Sequence, residues 1–378
     1  MVEKEKCCGC SACEQICPVQ CIVMEKDEKG FLYPKTDLEK CLHCRKCDRV
    51  CPAEQSADKK QAVQIDTFVG YTKKENVRKN SSSGGIFSVL AECVLDQNGV
   101  VFGAAFDKDF SVHHIFVESK KDLWKLQGSK YVQSNLENTY GEAKTFLETG
   151  RPVLFTGTAC QIAGLQNYLG KQYEMLYTVD VLCHGVPSPE IWKRYLEEKR
   201  CEYGQEIQKI EFRNKQLGWK NFSMNIIFAN VLSYGKVHHE DAFMKLFLSN
   251  ICLRPSCYQC IWKGIPRGSD LSLGDCWGVE RTMPEMDDDN GTSVILVHSQ
   301  KGKWLLENVS DELNLRNTQL DTVLPPQADS RRPVLHHPNE KKFWKAAKQG
   351  EPISKLEQYA ERSFIQKVIG VVQNKIRR

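Results

Sequence analysis

The sequence contains CCGCSACEQICP at residues 7–18 and repeats the same pattern as CLHCRKCDRVCP at residues 41–52. Each run has the spacing C-x2-C-x2-C-x3-C-P, which is typical of segments that bind cubic iron-sulfur clusters. The two-residue gaps let a short loop present three thiolates to one cube, while the fourth cysteine, displaced and turned by proline, reaches the other cube. The spacing therefore predicts two interleaved ligand quartets near the amino end.

The interleaving assigns each of these eight cysteines to one of two 4Fe-4S clusters. The first cluster takes Cys7, Cys10, Cys13 and Cys51, and the second takes Cys41, Cys44, Cys47 and Cys17. Zinc is the alternative, because four-thiolate zinc sites also use C-x2-C pairs, but they use two separated pairs rather than this run. Cys8 and Cys21 fall outside the pattern, and we expect them to be packing residues.

Length and composition exclude several classes of protein. The chain has 378 residues, of which 41% are hydrophobic and 26% charged, which suits two or three globular domains. No apolar run approaches the roughly 18 residues of a transmembrane helix, and we recognise no secretory signal, so we expect a cytoplasmic protein. Ten of the 18 cysteines lie in the first 51 residues, which indicates metal ligation in a separate module rather than a disulfide framework.

The basic excess of the chain is confined to its C-terminal segment. The net charge is +4, and residues 339–378 carry ten Lys and Arg against four Glu, so the remainder sums to −2. We therefore expect no nucleic-acid partner. The segment is predicted to be helical, and it either packs on its own domain or contacts an anionic membrane surface or an acidic partner.

Strand-like and helix-like segments alternate after the cysteine-rich module. Buried strands are predicted at residues 99–106, 153–156, 176–183 and 294–297, and helices at residues 161–169, 189–199 and 303–312. The fold class is therefore α+β, with a small ferredoxin-like 4Fe-4S dicluster domain at residues 1–58 and a larger mixed-sheet α/β domain at residues 59–325. A basic helical tail follows at residues 326–378.

A serine-glycine run, SSSGG at residues 81–85, precedes an amphipathic helix. Glycines and hydroxyls at a helix start offer unobstructed backbone N–H groups and the positive end of the helix dipole, an arrangement that holds phosphate. The alternative is a plain helix cap or turn. We find neither a dinucleotide-binding G-x-G-x-x-G after a strand nor a Walker A sequence, so a nicotinamide-binding or P-loop domain is not supported.

Several further motifs occur in a fixed order along the chain. They are SSSGGIFSVLA at 81–91, QGSKYVQS at 127–134, LFTGTACQIAGL at 154–165, VDVLCHGVPSP at 179–189, FRNK with GW at 212–219, LRPSCYQC at 253–260 and RGSDLSLGDCWG at 267–278. Together with the cysteine runs, this set resembles the beta-subunit family of coenzyme F420 hydrogenases and dehydrogenases. The resemblance covers roughly residues 1 to 300 and implies an iron-sulfur flavoprotein that uses FAD.

The resemblance also implies roles for residues of this chain. Those expected against the FAD phosphates are Ser82, Ser83, Gly84 and Gly85. Those expected in a loop on the same cofactor are Gly157, Thr158 and Gln161. Lys130 and Tyr131 would approach the flavin or its substrate as the catalytic pair, because a lysine charge stabilises reduced, anionic flavin. The alternative for Lys130 is a solvated surface side chain.

A third 4Fe-4S cluster is a further implication of the resemblance. Its ligands would be Cys160, Cys183, Cys257 and Cys260, which all fall inside the matching motifs. Buried free thiols are the alternative. Ala159 stands where the family often has proline before the cysteine, which puts the role of Cys160 in doubt.

Two functions are compatible with these features. The first is an oxidoreductase that passes electrons between two 4Fe-4S clusters and FAD, to or from a deazaflavin-like or other organic substrate. The alternative is a non-catalytic electron-transfer subunit of a larger hydrogenase or dehydrogenase complex. Its partner would be a redox protein such as ferredoxin, or the deazaflavin coenzyme.

Overall fold

The strands of the protein form three sheets in its computed structural model, which describes residues 2–54 and 65–361. The strands are β1 (Ile22–Lys26), β2 (Leu32–Thr36), β3 (Asp66–Thr72), β4 (Val100–Phe106), β5 (Val112–Val117), β6 (Val153–Thr158), β7 (Leu176–Val181), β8 (Ile207–Asn214), β9 (Ser223–Phe228), β10 (Ser233–Val237), β11 (Leu271–Asp275), β12 (Ser293–Val297) and β13 (Leu313–Thr318).

Helices connect most of these strands. They are α1 (Ala12–Gln15), α2 (Lys46–Val50), α3 (Glu75–Asn80), α4 (Ile86–Asp96), α5 (Thr139–Glu148), α6 (Ala159–Leu169), α7 (Pro189–Tyr203), α8 (Ala242–Leu248), α9 (Val279–Thr282), α10 (Gln300–Glu307), α11 (Leu320–Val323), α12 (Glu340–Lys348) and α13 (Ile353–Leu356). Short 3-10 helices span Lys120–Lys125, Pro255–Gln259, Pro284–Met286, Ser310–Glu312 and Glu357–Ala360.

The two cysteine runs take the same backbone path. Gly9 and Ser11 in the first run, and His43 and Arg45 at the matching positions of the second, have positive φ angles between 49° and 68°. Residues other than glycine rarely adopt this left-handed region. Each run then enters a short helix, α1 or α2, and the antiparallel hairpin of β1 and β2 joins them. The sequence repeat is thus also a structural repeat.

The central sheet has the strand order β13-β3-β12-β11-β7-β6-β4-β5. Its middle strands β4, β6, β7 and β11 run parallel, and its outer strands pair antiparallel. Parallel strands are covered on both faces, which explains the near-continuous apolar runs in the sequence. The predicted mixed α/β domain and its buried strands are confirmed, although β7 ends at Val181 rather than at residue 183.

Helices cover both faces of the central sheet. Helices α4 and α10 pack on one face, and α5 and α6 pack on the other with Tyr140 and Leu165 fully buried. Cys8, Ala12 and Val50 of the N-terminal module belong to this second core. The module therefore shares its apolar interior with the large domain.

The strands β8, β9 and β10 form a separate layer with α7, α8, α12 and α13. Its core is aromatic, with Trp192 packed against Phe212 and Phe243 at ring-centroid distances of 4.9 and 4.8 Å. Phe343 of α12 and Ile353 of α13 are fully buried in the same core. The described part of the basic tail thus packs on its own domain.

The apolar residues 364–372 and the terminal arginines of the predicted tail helix lie outside the described residues. Within residues 2–54 and 65–361, the structure contains no helix with the length and apolar character needed to cross a bilayer.

One predicted helix is shifted along the chain. We expected residues 303–312, whereas α10 begins at Gln300 and ends at Glu307. The Ser299 side chain accepts a hydrogen bond from the Gly302 amide, and this N-cap starts the helix one turn earlier. Residues Ser310–Glu312 form a 3-10 helix that leads into β13.

Candidate redox site

The first predicted quartet surrounds a small cavity in the N-terminal module. Cys7, Cys10, Cys13 and Cys51 line it, together with Cys8 and Cys47 among others. Burial, reinforced by the neighbouring Cys7 and Cys51, raises the pKa of Cys13 to about 12. Iron coordination would reverse this effect, since a cluster binds the thiolate form.

The second predicted quartet lies nearer the surface. Burial, followed by contact with Cys17, raises the pKa of Cys21 to about 12, and Cys41 adds a smaller effect, so these three residues are neighbours. The sulfur atoms of Cys17 and Cys21 lie 3.4 Å apart. Cys44 is exposed, and Cys47 also lines the first cavity.

A cavity of about 900 Å³ opens in the large domain. This volume lies at the upper end of the range for ligand-binding sites, roughly 300–1,000 Å³. The residues that line it include Ser82, Ser83, Gly85, Lys130, Tyr131, Gly157, Thr158, Cys160, Gln161, Cys183, Cys257 and Cys260. The structure thus brings the predicted flavin loop and the predicted third quartet to one space.

The serine-glycine run supplies an uncapped helix start at this cavity. Gly85 has a φ of +81° and precedes α4, whose first-turn N–H groups donate to no capping side chain among the described residues. Ile86, Phe87 and Ser88 of that turn line the cavity. Their free N–H groups and the positive end of an 11-residue helix suit a phosphate group.

Gly84 does not line the cavity, in contrast to our expectation. Its amide donates to Ser293 Oγ at 3.0 Å, and its carbonyl accepts from the Thr72 amide at 2.8 Å. A Cβ at this position would lie 2.5 Å from the Gly70 carbonyl oxygen. Glycine is needed here for close packing on β3, and the sequence pattern does not distinguish this role from cofactor contact.

Lys130 and Tyr131 enter the cavity from the segment before α5. Lys130 Nζ donates to the carbonyls of Gln127 and Gly128 at 2.9 and 3.1 Å, and burial lowers the pKa of Lys130 to about 7. A group with this pKa changes its charge readily near neutral pH. Lys130 is therefore a partly buried cation at the cavity rather than a solvated surface lysine.

Tyr131 belongs to a network that the sequence analysis missed. Arg213 Nη1 donates to the Tyr131 hydroxyl at 3.1 Å and pairs with Asp275 at 2.8 Å. Trp219 Nε1 also donates to Asp275. The two charged residues belong to β8 and β11, and Asp275 lies in the RGSDLSLGDCWG motif. The sequence could not predict this ion pair, because Arg213 and Asp275 come together only in the folded chain.

The turn between β6 and α6 is held by a capping box. The Thr158 amide donates to Gln161 Oε1 at 2.9 Å, and the Thr158 hydroxyl also contacts that oxygen. A Cβ on Gly157 would lie 3.0 Å from the same oxygen. These residues line the cavity, and Gln161 also organises the loop that begins α6.

The third predicted quartet converges from three segments. Cys160 lies in the first turn of α6, Cys183 follows β7, and Cys257 lies within the 3-10 helix Pro255–Gln259, which Cys260 follows. The carboxyl ends of adjacent parallel strands meet at one sheet edge, which brings the first two together. Burial raises the pKa of Cys183 to about 12, with Cys160 and Cys260 adding to the effect.

Cationic side chains surround this quartet. Lys263 and Arg267 both act to lower the pKa of Cys183, and Arg254 acts in the same direction on Cys160. Positive charges of this kind suit four thiolates around a cluster. Among the described residues, no three His, Cys, Asp or Glu are gathered closely enough to hold a single metal ion. Two observations therefore support the assignment of cysteines to 4Fe-4S clusters: the first and third sets each line a common cavity, and the eight N-terminal cysteines have the sequence spacing of cluster ligands.

Cys8 connects the two cysteine-lined spaces. It is 8% exposed and lines both cavities. Contact between the thiols of Cys8 and Cys160, followed by burial, raises the pKa of Cys160. Our expectation that Cys8 is a packing residue agrees with its burial, but it did not anticipate a position between two ligand sets.

Family models match three segments of the chain. The family model for the N-terminal part of the "Coenzyme F420 hydrogenase/dehydrogenase, beta subunit" matches residues 67–139, and the model for the C-terminal part of the same protein matches residues 150–322. A "4Fe-4S dicluster domain" model matches residues 6–55. No curated protein sequence matches the chain.

A solved chain from the F420-reducing [NiFe] hydrogenase complex of Methanosarcina barkeri is similar, with 16% identity and a TM-score of 0.48. The similarity covers 76% of this chain and 93% of that one. The two models of one family together span most of the large domain, and the third spans the cysteine runs. The chain therefore belongs to the coenzyme F420 hydrogenase/dehydrogenase beta-subunit family and carries an N-terminal 4Fe-4S dicluster module.

Proposed function

We propose that the protein is an iron-sulfur flavoprotein oxidoreductase. It passes electrons between two N-terminal 4Fe-4S clusters, a third cluster and FAD, to or from a deazaflavin-like or other organic substrate. One observation carries the proposal: a single cavity is lined by both the serine-glycine loop and four cysteines, and Cys8 links it to the N-terminal module. The cytoplasm, where thiols stay reduced, is the proposed compartment.

The cavity residues divide into cofactor-binding and reactive groups. The first turn of α4, with Ser82 and Ser83 beside it, would hold the FAD phosphates. FAD exchanges one or two electrons, which couples clusters to an organic substrate. Lys130 would place positive charge near the flavin, and Arg213 would orient Tyr131 through their hydrogen bond.

The third cluster would be held by Cys160, Cys183, Cys257 and Cys260. These thiols lie between the N-terminal module and the flavin loop, because Cys8 contacts Cys160 and the same cavity extends to Gly85. Electrons would then follow the order of the N-terminal clusters, the third cluster and the flavin. The four thiols of the third set are half-buried, and Cys8 and Cys10 of the N-terminal module are buried.

An acidic electron carrier such as ferredoxin is the proposed protein partner. Residues 42–46, LHCRK, are all exposed and contain Cys44 of the second quartet between apolar and basic side chains. Such a surface suits a carrier with negative charge around its own cluster, because complementary charges steer association.

Anaerobic reconstitution followed by iron, sulfide and flavin analysis tests the proposal. We expect about twelve irons per chain, since three 4Fe-4S clusters are proposed, together with FAD and oxidation of the reduced deazaflavin coenzyme by the isolated chain. Preparations with iron but no flavin, and activity only after addition of a larger complex, would favour the electron-transfer subunit. Zinc in place of iron and sulfide would overturn both functions.

A further inference from the structure

Arg254 is a buried cation without an anionic partner. Its side chain is fully buried, and within residues 2–54 and 65–361 no carboxylate forms an ion pair with it. A buried charge without a counter-charge is strongly destabilising. The other buried arginines each pair with an aspartate, namely Arg78 with Asp288, Arg213 with Asp275 and Arg267 with Asp180. Arg254 thus differs from the other buried arginines, and its positive charge requires a negative charge nearby.

The contacts of Arg254 point to the N-terminal module. Its Nε donates to the Cys7 carbonyl at 2.7 Å, and its Nη2 donates to the Leu32 carbonyl at 2.8 Å. Its Nη1 donates to Gln133 Oε1 at 2.8 Å. Nη2 also lies 3.6 Å from Cys7 Sγ. All of these partners are neutral except the thiol of Cys7, which is anionic when it binds iron.

The residues around Arg254 leave space for its guanidinium group beside Cys7. A Cβ on Gly9 would lie 2.8 Å from Arg254 Nη1, so a side chain at that position would displace the guanidinium. The ring of Tyr33 lies 4.3 Å from the guanidinium carbon on another side. The Cys257 amide donates to the Arg254 carbonyl, which ties the arginine backbone to the third quartet.

We propose that Arg254 compensates the charge of the cluster held by Cys7, Cys10, Cys13 and Cys51 and raises its reduction potential. The inference depends on the proposed function, because it requires that cluster. Reduction adds one electron to the cube, supplied by dithionite in the test below, and no covalent bond forms or breaks. A fixed positive charge beside Cys7 stabilises the more negative, reduced state.

Potentiometric titration of the reconstituted full chain, followed by electron spin resonance, tests this inference. In Arg254→Met, the cluster at Cys7 should become harder to reduce, with a reduced-to-oxidised ratio at least about tenfold lower at the same applied potential. The third cluster should shift less in the same direction, because Arg254 contacts Cys7 directly and acts on Cys160 only through its charge. Arg254→Lys keeps the charge but loses the forked hydrogen bonds, so its shift should be smaller.

A second variant separates charge from packing. Gln133→Glu leaves Arg254 in place but puts a carboxylate where Gln133 Oε1 now accepts its hydrogen bond. We expect a shift in the same direction as in Arg254→Met, because the carboxylate offsets the arginine charge. If Arg254→Met loses iron, Arg254→Lys, which keeps the charge, should keep both the iron and most of the potential.

Arg194→Met is the matched control. Arg194 of α7 also donates to two backbone carbonyls, those of Ala347 and Glu351, but it packs in the layer of β8, β9 and β10. Its loss should leave all cluster potentials unchanged. Unchanged potentials in both Arg254→Met and Gln133→Glu, with iron and sulfide retained, would overturn the inference. Unsubstituted protein without iron and sulfide would instead overturn the proposed function.

Discussion

Gly85 illustrates how one residue shapes the cavity. Its φ of +81° is accessible to glycine, and a Cβ there would lie 2.8 Å from Thr72 Cγ2. We predict that Gly85→Val weakens FAD binding at least about tenfold, or 1.4 kcal/mol, while iron content stays unchanged. Flavin and iron analysis of the same sample checks this.

Gly150→Val is a matched control for that prediction. Gly150 has a φ of +78°, and a Cβ there would meet no atom within 4 Å. The variant should cost roughly 1–2 kcal/mol of stability through backbone strain alone and retain its flavin. Full flavin occupancy in Gly85→Val would show that the start of α4 does not hold the cofactor.

Lys130 should make FAD binding depend on pH. Burial lowers its pKa to about 7, so in cofactor-free protein it is largely protonated at pH 6 and largely neutral at pH 9. FAD is anionic, so binding favours the protonated lysine and takes up a proton. Affinity should therefore fall as pH rises through 7.

The variant Lys130→Met tests this dependence. It should bind FAD roughly tenfold more weakly than the unsubstituted protein at pH 6, and about equally at pH 9. Lys120→Met, at an exposed lysine paired with Asp96, should keep the original pH profile. Parallel profiles for Lys130→Met and unsubstituted protein, measured by fluorescence titration, would contradict a role for this charge.

Residue types were easier to predict than residue pairs. The cysteine spacing predicted the cluster ligands, because a cluster needs several thiolates from one short stretch of the chain. Arg213, Arg254 and Asp275 lie inside informative motifs, but their side-chain partners lie 56 to 247 positions away. Gly84 and Gly85 are adjacent, yet only Gly85 lines the cavity, since their backbone directions differ.

At the scale of elements, each predicted quartet of cysteines should hold one cluster. We predict that Cys44→Ser removes about four irons and that Cys257→Ser removes a separate set of similar size. Cys201→Ser, at an exposed thiol on α7, should remove none. Iron counting on the three reconstituted variants checks these outcomes.

The identity of the affected cluster is part of this prediction. Spin-resonance spectra should lose different signals in Cys44→Ser and Cys257→Ser. Normal iron content in Cys257→Ser, with the fold intact by circular dichroism, would show that the third set of thiols is free.

Element boundaries depend on local signals of unequal strength. Buried strands such as β6 and β12 were predictable because parallel or doubly covered strands are continuous apolar runs. The start of α10 was not, because the cap at Ser299 decides it, whereas the prediction followed the apolar periodicity that begins at residue 303. The domain boundaries at residues 58 and 325 remain predictions.

At the scale of the whole molecule, the exposed segment around Cys44 should govern reaction with a carrier protein. Lys46→Glu should slow electron transfer from a reduced acidic ferredoxin by roughly tenfold at low salt, because electrostatic steering is lost. The difference should shrink above about 0.5 M salt, where charges are screened. Stopped-flow measurements over a salt series check this.

Lys193→Glu is the control for surface charge in general. Lys193 is exposed on α7, and its substitution should leave the rate unchanged. A rate for Lys46→Glu equal to that of unsubstituted protein at low salt would place the docking surface elsewhere.

The docking of the N-terminal module onto the large domain could not be predicted from the sequence. It depends on shape, through shared packing of Cys8, Ala12 and Val50 with α5 and α6. Periodicity describes each segment alone and carries no information on which surfaces meet.

The hydrogen bonds between Arg254 and Cys7 have a consequence for biosynthesis. They join residues 247 positions apart. The ribosome must therefore translate about two thirds of the chain before Arg254 can bind Cys7. Until then, Cys7 lacks the hydrogen bonds of Arg254, whereas Cys8 can already pack against α5 and α6. We therefore expect Cys7 to be more accessible to iron during translation than after the segment around residue 254 has folded back.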